Sequence, residues 1–371
     1  MWAPGNEKRF DNFLTFCLER GKIVNKLIKC LAGILVTLRL NVIDQTPVHQ
    51  HQSLTTAPAL SLDLAIECER AGYHRYWVAE HHNSIQFAGN APEILLTRIA
   101  SATQRMRVGA GGVMLSHYSP YKVAETFALL GGLFPGRIDL GIGRAPGGNA
   151  LSSHALAAPG ELPESDEFPA QAAALCAFLR ADFPDGHAYS SLALALSADT
   201  MPSLWMLGSG GASSHLAGQL GMGLALAQFI TPRACSPSIF KDHQYAWRKA
   251  GRASAPPRLL AVAAVCAESD EEASFIAGTA VYRKLSAGKR PREALLSPSQ
   301  VQQRYHQMGS AERAEYDATM AGMVVGSAQT CRRRIAQLGR EFGSEEIGIV
   351  TVTHRFEDRL RSYQLLAGTC V

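Results

Sequence analysis

From Leu38 onward the chain alternates short apolar runs with stretches of helical period, and no other feature restricts the fold as much. The runs read as strands at 38–44, 75–80, 106–115, 137–144, 204–207, 224–229, 259–267 and 347–352. Helical patterns fill the gaps at 57–72, 92–103, 120–134, 168–183, 213–221, 236–250, 270–286 and 328–342. A last helix closes the chain at 356–367, and an irregular helical insert falls near 291–320. In the first helix Leu60, Leu64 and Cys68 share one face, Asp63, Glu67 and Arg70 lie opposite, and Gly72 ends it. Strands that are apolar throughout, each followed by a helix, predict a parallel sheet buried on both sides. Eight such units predict a single α/β domain of the (β/α)8 TIM-barrel type, enlarged by insertions. A doubly wound sheet would need a phosphate fingerprint after the first strand, and Pro47-Val48-His49-Gln50 is not one.

The first 35 residues stand apart. They carry six Lys/Arg against three acids and lead into the apolar run 30–38. The polar region is too long for a secretory leader and is followed by no small-residue cleavage site. Arg39 ends the apolar run well short of the roughly 20 residues a membrane span requires. We expect 1–35 to be a peripheral extension, 36–371 to be the single barrel domain, and the native chain to start at Val36.

Composition excludes little but does so clearly. With 47% hydrophobic and 18% charged residues the chain is neither disordered nor fibrous. A net charge of +4, without basic runs interleaved with aromatics, gives no nucleic-acid-binding signature. Eight cysteines without a C-x-x-C pair read as reduced core thiols of a cytoplasmic protein.

In a barrel the chemistry lies at the C-terminal ends of the strands. The second strand ends in Glu80-His81-His82-Asn83. Neighbouring strand residues point opposite ways, so one histidine faces the mouth while the other packs. The pair reads either as a catalytic imidazole with its support or as a structural hydrogen-bonding pair; no further ligand spacing supports a metal. The third strand carries Gly109, Gly111 and Gly112, which suit either close approach to a flat ligand or a bulge. The fourth ends in Gly141-Ile142-Gly143-Arg144, where Pro146 spoils a dinucleotide fingerprint and Arg144 suits a phosphate or a surface ion pair. After the fifth comes Leu207-Gly208-Ser209-Gly210-Gly211-Ala212-Ser213, a helix start fit for a phosphate dianion or for simple capping by Ser213. The interval 146–166, acidic over 161–167, reads as a lid or a disordered surface loop.

In this order and spacing, these motifs resemble the bacterial luciferase-like flavin monooxygenases, in particular the group 1 luciferase-family oxidoreductases, over nearly everything from Leu38 to the C-terminus. The resemblance implies His81 as the active-site acid/base, with Glu80 and His82 in support. It places a non-prolyl cis bond at Gly111–Gly112 under the flavin ring, with Leu207 near the ring. It assigns the FMN phosphate to Gly143, Arg144, Ser209, Gly210 and Ser213; Gly210-Gly211 departs from relatives and shifts weight to backbone donors. The implied activity is oxidation of a small organic substrate, aldehyde-like by analogy, with reduced FMN and O2. A separate flavin reductase and a homodimer are expected, and neither nucleic acid nor membrane as partner. Two rivals are hydride transfer from F420 or flavin without oxygen activation, and a non-catalytic flavin-binding protein.

Overall fold

Each strand of the barrel presents one set of side chains inward and the alternate set to the helices, because successive residues point to opposite faces. In the computed structural model β1 (Arg39–Asp44) sends Ile43 inward while Leu40 and Val42 meet the helices. In β2 (Arg75–Val78) Trp77 points inward and Tyr76 and Val78 outward. The structure describes residues 38–158, 160, 166–192, 194, 196–287 and 293–368. The chain divides into units at Thr37/Leu38. The expected extension at 1–35, the Val36 start, and Cys17, Cys30 and Cys370 lie outside the described residues.

The remaining strands are β3 (Arg107–Met114), β4 (Ile138–Gly143), β5 (Ser203–Gly208), β6 (Gly223–Ala227), β7 (Arg258–Ala267), β8 (Val324–Ser327) and β9 (Glu346–Val350). All pairings between them are parallel. Strands β1 to β7 and β9 close the ring, with β9 joining β7 to β1. This is the expected eight-stranded barrel. The helices are α1 (Ala57–Arg70), α2 (Pro92–Ala102), α3 (Pro120–Leu133), α4 (Ala150–Ala157), α5 (Phe168–Arg180), α6 (Gly211–Leu220) and α7 (Ser238–Lys249). They continue as α8 (Asp270–Ser286), α9 (Pro298–Gln307), α10 (Ser310–Ala321), α11 (Ala328–Phe342) and α12 (Phe356–Ala367). Leu64 and Cys68 of α1 and Leu96 and Ile99 of α2 pack on the outer barrel face.

Three expectations need correction. The insert near 291–320 holds two regular helices, α9 and α10, and α9 opens with a capping box at Ser297 and Gln300. A ninth strand, β8, follows and pairs with the C-terminal end of β7 at Ala264–Ala267, outside the ring; four residues are too few for an alternation to be read. In the interval 146–166, residues 150–157 form α4, which Asn149 and Ser152 cap reciprocally, while the acidic stretch at 161–165 lies outside the described residues. Five cysteines, 68, 176, 235, 266 and 331, are free thiols, all buried except the half-buried Cys235. Among the described residues no helix is long and apolar enough to cross a membrane.

The barrel floor is polar and closed. Arg75 at the start of β2 bonds Asp139 of β4 at 2.6 Å and Glu346 of β9 at 2.8 Å. Arg107 reaches the other oxygen of Asp139 at 2.6 Å, and the Trp77 indole N–H donates to Asp139 at 2.9 Å. Above them Trp77 and Trp205 meet edge to face, 5.3 Å between centroids, a contact worth about 0.5–1.5 kcal/mol beyond burial.

Candidate active site

The strand ends at the other side of the barrel surround a cavity of about 780 Å3. It is lined by Glu80, His81, Gly111, Gly143, Arg144, Leu207, Ser209, Gly210 and Ser213, so nine of the residues singled out by sequence converge on one pocket. His82 and Gly112 are not part of that lining.

Backbone contacts hold the two histidines apart. The His81 N–H donates to the Gly89 carbonyl at 2.6 Å and the His82 N–H to the Gly147 carbonyl at 2.8 Å. The His82 ring bonds Glu80 Oε1 through Nε2 at 2.6 Å. Glu80, itself buried, also accepts from the Tyr118 hydroxyl at 2.6 Å and from the Met114 N–H at 2.9 Å. Burial and the Glu80 carboxylate push the Tyr118 hydroxyl far above its ordinary range, so it remains a donor. His82 and Glu80 thus form a rigid support behind the pocket wall. His81 lines the pocket, its ring 4.7 Å from that of Phe87, and its Nδ1 is buried with no hydrogen-bond partner. Burial, the Arg283 guanidinium and His82 lower its pKa to about 4, which makes His81 a neutral imidazole at neutral pH.

The third strand contains the bulge weighed for its glycines and the cis bond that the resemblance implied. The Gly111–Gly112 peptide is cis, and the register with β4 shifts between Gly111 and Val113. A Cβ on Gly111 would lie 2.8 Å from Cβ of Trp77, and one on Gly112 would lie 2.7 Å from the Gly141 carbonyl oxygen. Only bare backbone fits there, because Trp77 and β4 approach that closely.

At the turn after β5 the N-cap of α6 is Gly210, with no side-chain cap, so the simple capping role weighed for Ser213 is not what the structure contains. The first N–H groups of α6 are left without a capping side chain at the pocket edge, where the helix dipole favours an anion. The Ser209 carbonyl accepts from the Thr231 hydroxyl at 3.1 Å, which steadies the turn. After the neighbouring strand β4, Arg144 is exposed and pairs with Asp166 at 3.0 Å, the surface ion pair weighed from sequence. Such a pair contributes little and can exchange for a better anion.

Sequence reading missed Gln45, Phe229, Arg283 and Lys284, which also line the pocket. The two cations occupy the last turn of α8, where basic residues are common for dipole reasons and carry no functional signal. Among the described residues no group of three or more His, Cys, Asp or Glu is arranged to hold a metal.

A barrel whose mouth gathers a bare-backbone wall, an anion-ready helix start and a buried imidazole defines a class of enzyme fold. Residues 38–346 match the family of luciferase-like monooxygenases, and the chain belongs to that family. It is 39% identical over 329 residues to the protein YwcH of Bacillus subtilis (strain 168), covering 88% of this chain and 97% of that one. It is 34% identical over 348 residues to N-acetyl-S-alkylcysteine monooxygenase of the same organism, covering 89% and 97%. The crystal structure of apo-MsnO8 superposes with a TM-score of 0.78 at 36% identity, over 90% of this chain and 98% of that one. Two more distant structures share the fold. One is the oxygenating constituent of 3,6-diketocamphane monooxygenase from Pseudomonas putida in complex with FMN, with TM-score 0.64 and 16% identity over 90% and 98% of the chains. The other is an F420-dependent secondary alcohol dehydrogenase in complex with an F420–acetone adduct, with TM-score 0.65 and 18% identity over 90% and 99%.

Proposed function

We propose that this protein is a flavin-dependent monooxygenase that uses reduced FMN and O2 to oxidise a small organic substrate. The observation that carries the reading is the single cavity onto which the Gly111 backbone, the start of α6, Arg144 and His81 all open. Its volume, about 780 Å3, is in the range of pockets that hold a cofactor and a small substrate. The residues fit a flavin monophosphate: the bare backbone at Gly111 admits a flat ring, and the α6 N–H groups with Ser209, Ser213 and Arg144 suit a phosphate dianion. Among relatives, one at 34% identity is named a monooxygenase, and the distant camphane enzyme binds FMN.

When bound, reduced flavin supplies the electrons with which O2 is activated. The chain's own part is positional and protective. Arg144 exchanges Asp166 for the phosphate, and Gly143 and Gly210 let backbone come close to it. Gly111 and Leu207, which line the cavity, would carry the ring. Apolar walls, among them Phe229, Ala261 and Ile43, keep water out, which protects a reactive oxygen species from hydrolytic loss. His81, neutral and with an unpartnered Nδ1, takes or returns a proton at the reacting atom, and the Glu80–His82–Tyr118 set keeps its segment in place. A separate reductase delivers the reduced flavin.

Anaerobic titration with reduced FMN followed by rapid mixing with oxygenated buffer tests the reading. Tight binding and delayed return of the oxidised spectrum, with heavy oxygen from labelled O2 found in product, support it. Binding of F420 in preference to FMN, with hydride transfer and no oxygen incorporation, overturns it in favour of the activity named for the alcohol dehydrogenase neighbour. Turnover unchanged in His81→Ala overturns the role given to that residue.

A further inference from the structure

The pocket wall carries two cations that the flavin reading does not use. Arg283 and Lys284 end α8 beside His81 and Gln45. The Nε of Arg283 is out of reach of solvent and meets no acceptor. Its guanidinium lies over the Phe87 ring at 5.1 Å, the same ring that packs against His81. Phe87 therefore holds both groups on one side of the cavity. Lys284 donates from Nζ to the Phe229 carbonyl at 2.8 Å, which leaves its charge without a counterion.

Among the described residues no nearby acid neutralises this pair. Among the lining residues the one carboxylate is Glu80, and both of its oxygens are engaged by His82, Tyr118 and the Met114 N–H. The acids of α8 itself, Asp270, Glu271 and Glu272, occupy its first turn. At about 1.5 Å rise per residue they lie more than 15 Å away along the helix. Burial alone acts on Arg283 and holds its pKa below the ordinary value, with no carboxylate raising it. A partly desolvated guanidinium without a counterion is costly, and a ligand that supplies the anion removes the cost.

We propose that Arg283, with Lys284 beside it, binds the anionic end of the substrate: a carboxylate on a small organic molecule whose oxidisable atom then lies next to His81. The inference rests on the monooxygenase reading and narrows its substrate class from neutral aldehydes to organic acids. The phosphate of the cofactor has its own partners at α6 and Arg144. An N-acetyl-S-alkylcysteine, in the name of the relative at 34% identity, is chemically such an acid. The planar fork of Arg283 suits a carboxylate better than a point charge would.

The test is calorimetric titration of three acids, N-acetyl-S-methylcysteine, phenylacetic acid and hexanoic acid, each paired with its primary amide. Wild type, Arg283→Gln and Arg283→Lys are compared, with and without saturating oxidised FMN, after circular dichroism shows that the variants are folded. At least one acid is expected to bind wild type about ten-fold or more tightly than its amide, the preference to vanish in Arg283→Gln and to return in part in Arg283→Lys. FMN affinity is expected to be equal in all three proteins. Absence of any acid preference in wild type, or its persistence in Arg283→Gln, overturns the proposal. Loss of FMN affinity in Arg283→Gln also overturns it and reassigns the arginine to the cofactor. Failure of wild type to bind reduced FMN under anaerobic conditions sinks the monooxygenase reading instead, and the titrations without flavin still decide the role of Arg283.

Discussion

The two ends of the barrel treat buried charge in opposite ways. At the floor Arg75 and Arg107 share Asp139, and Arg75 also meets Glu346, so both of these cations have a carboxylate within 2.8 Å. At the mouth Arg283 and Lys284 have none, and the Nδ1 of His81 has no partner at all. The Asp139 network is closed as folded. Arg283 and Lys284 at the mouth lack such a partner, in keeping with a barrel that keeps stability at one end and chemistry at the other.

Removing the floor's shared anion should have the largest effect. Asp139→Ala strands Arg107 and leaves Arg75 with Glu346 alone, and is expected to cost about 3–5 kcal/mol in a denaturant titration. Arg283→Met, which removes an uncompensated charge, should leave the midpoint unchanged or raise it. Equal destabilisation by the two substitutions would break the distinction between the ends.

The next effect is pH-dependent. The folded-state pKa of His81 is lowered to about 4 from 6.5, so between those values the unfolded chain binds the extra proton. Stability contributed by keeping His81 neutral is therefore full above about pH 6.5 and falls with acidification, by about 1.4 kcal/mol per pH unit. Unfolding measured at a series of pH values should show a shallower acid slope in His81→Gln than in wild type. Parallel slopes would remove His81 from the desolvated set.

A smaller change is expected at the rim. Arg144 is exposed and its ion pair with Asp166 contributes little, so Arg144→Ala should not move the unfolding midpoint. It should weaken FMN binding by about ten-fold or more in a fluorescence titration, the loss of one charge-assisted phosphate contact. Unchanged affinity would remove Arg144 from the phosphate site. The smallest shift sharpens the comparison within the mouth. Arg283 is among the groups that lower the His81 pKa, so Arg283→Gln should raise that pKa toward its ordinary value, read from the imidazole resonances by NMR. No movement would mean that burial alone sets it.

Much of this site could be read from the chain because strand ends announce themselves. An apolar run that stops in Glu80-His81-His82 or in Gly143-Arg144 places those residues at the mouth once the fold is a barrel. The alternation of side-chain directions also anticipated that one of the two histidines would face the cavity, and the resemblance implied that it is His81. Arg283 and Lys284 had no such signal, since two basic residues at a helix end are ordinary. They reach the pocket because α8 packs against β7 and β8 and ends at the mouth, and β8 was itself too short to read. The floor network was equally hidden: Arg75, Asp139 and Glu346 are far apart in sequence and meet only when β9 closes the ring.

By itself the sequence determined the (β/α)8 architecture, the strand ends that form the mouth and the glycines that bare its wall, since periodicity and residue size are local properties of the chain. Only the tertiary structure decided which charges are compensated and which are not. Burial and pairing depend on what the fold brings within about 4 Å, and that distance is set by barrel closure and by the placement of α8, not by neighbours along the chain.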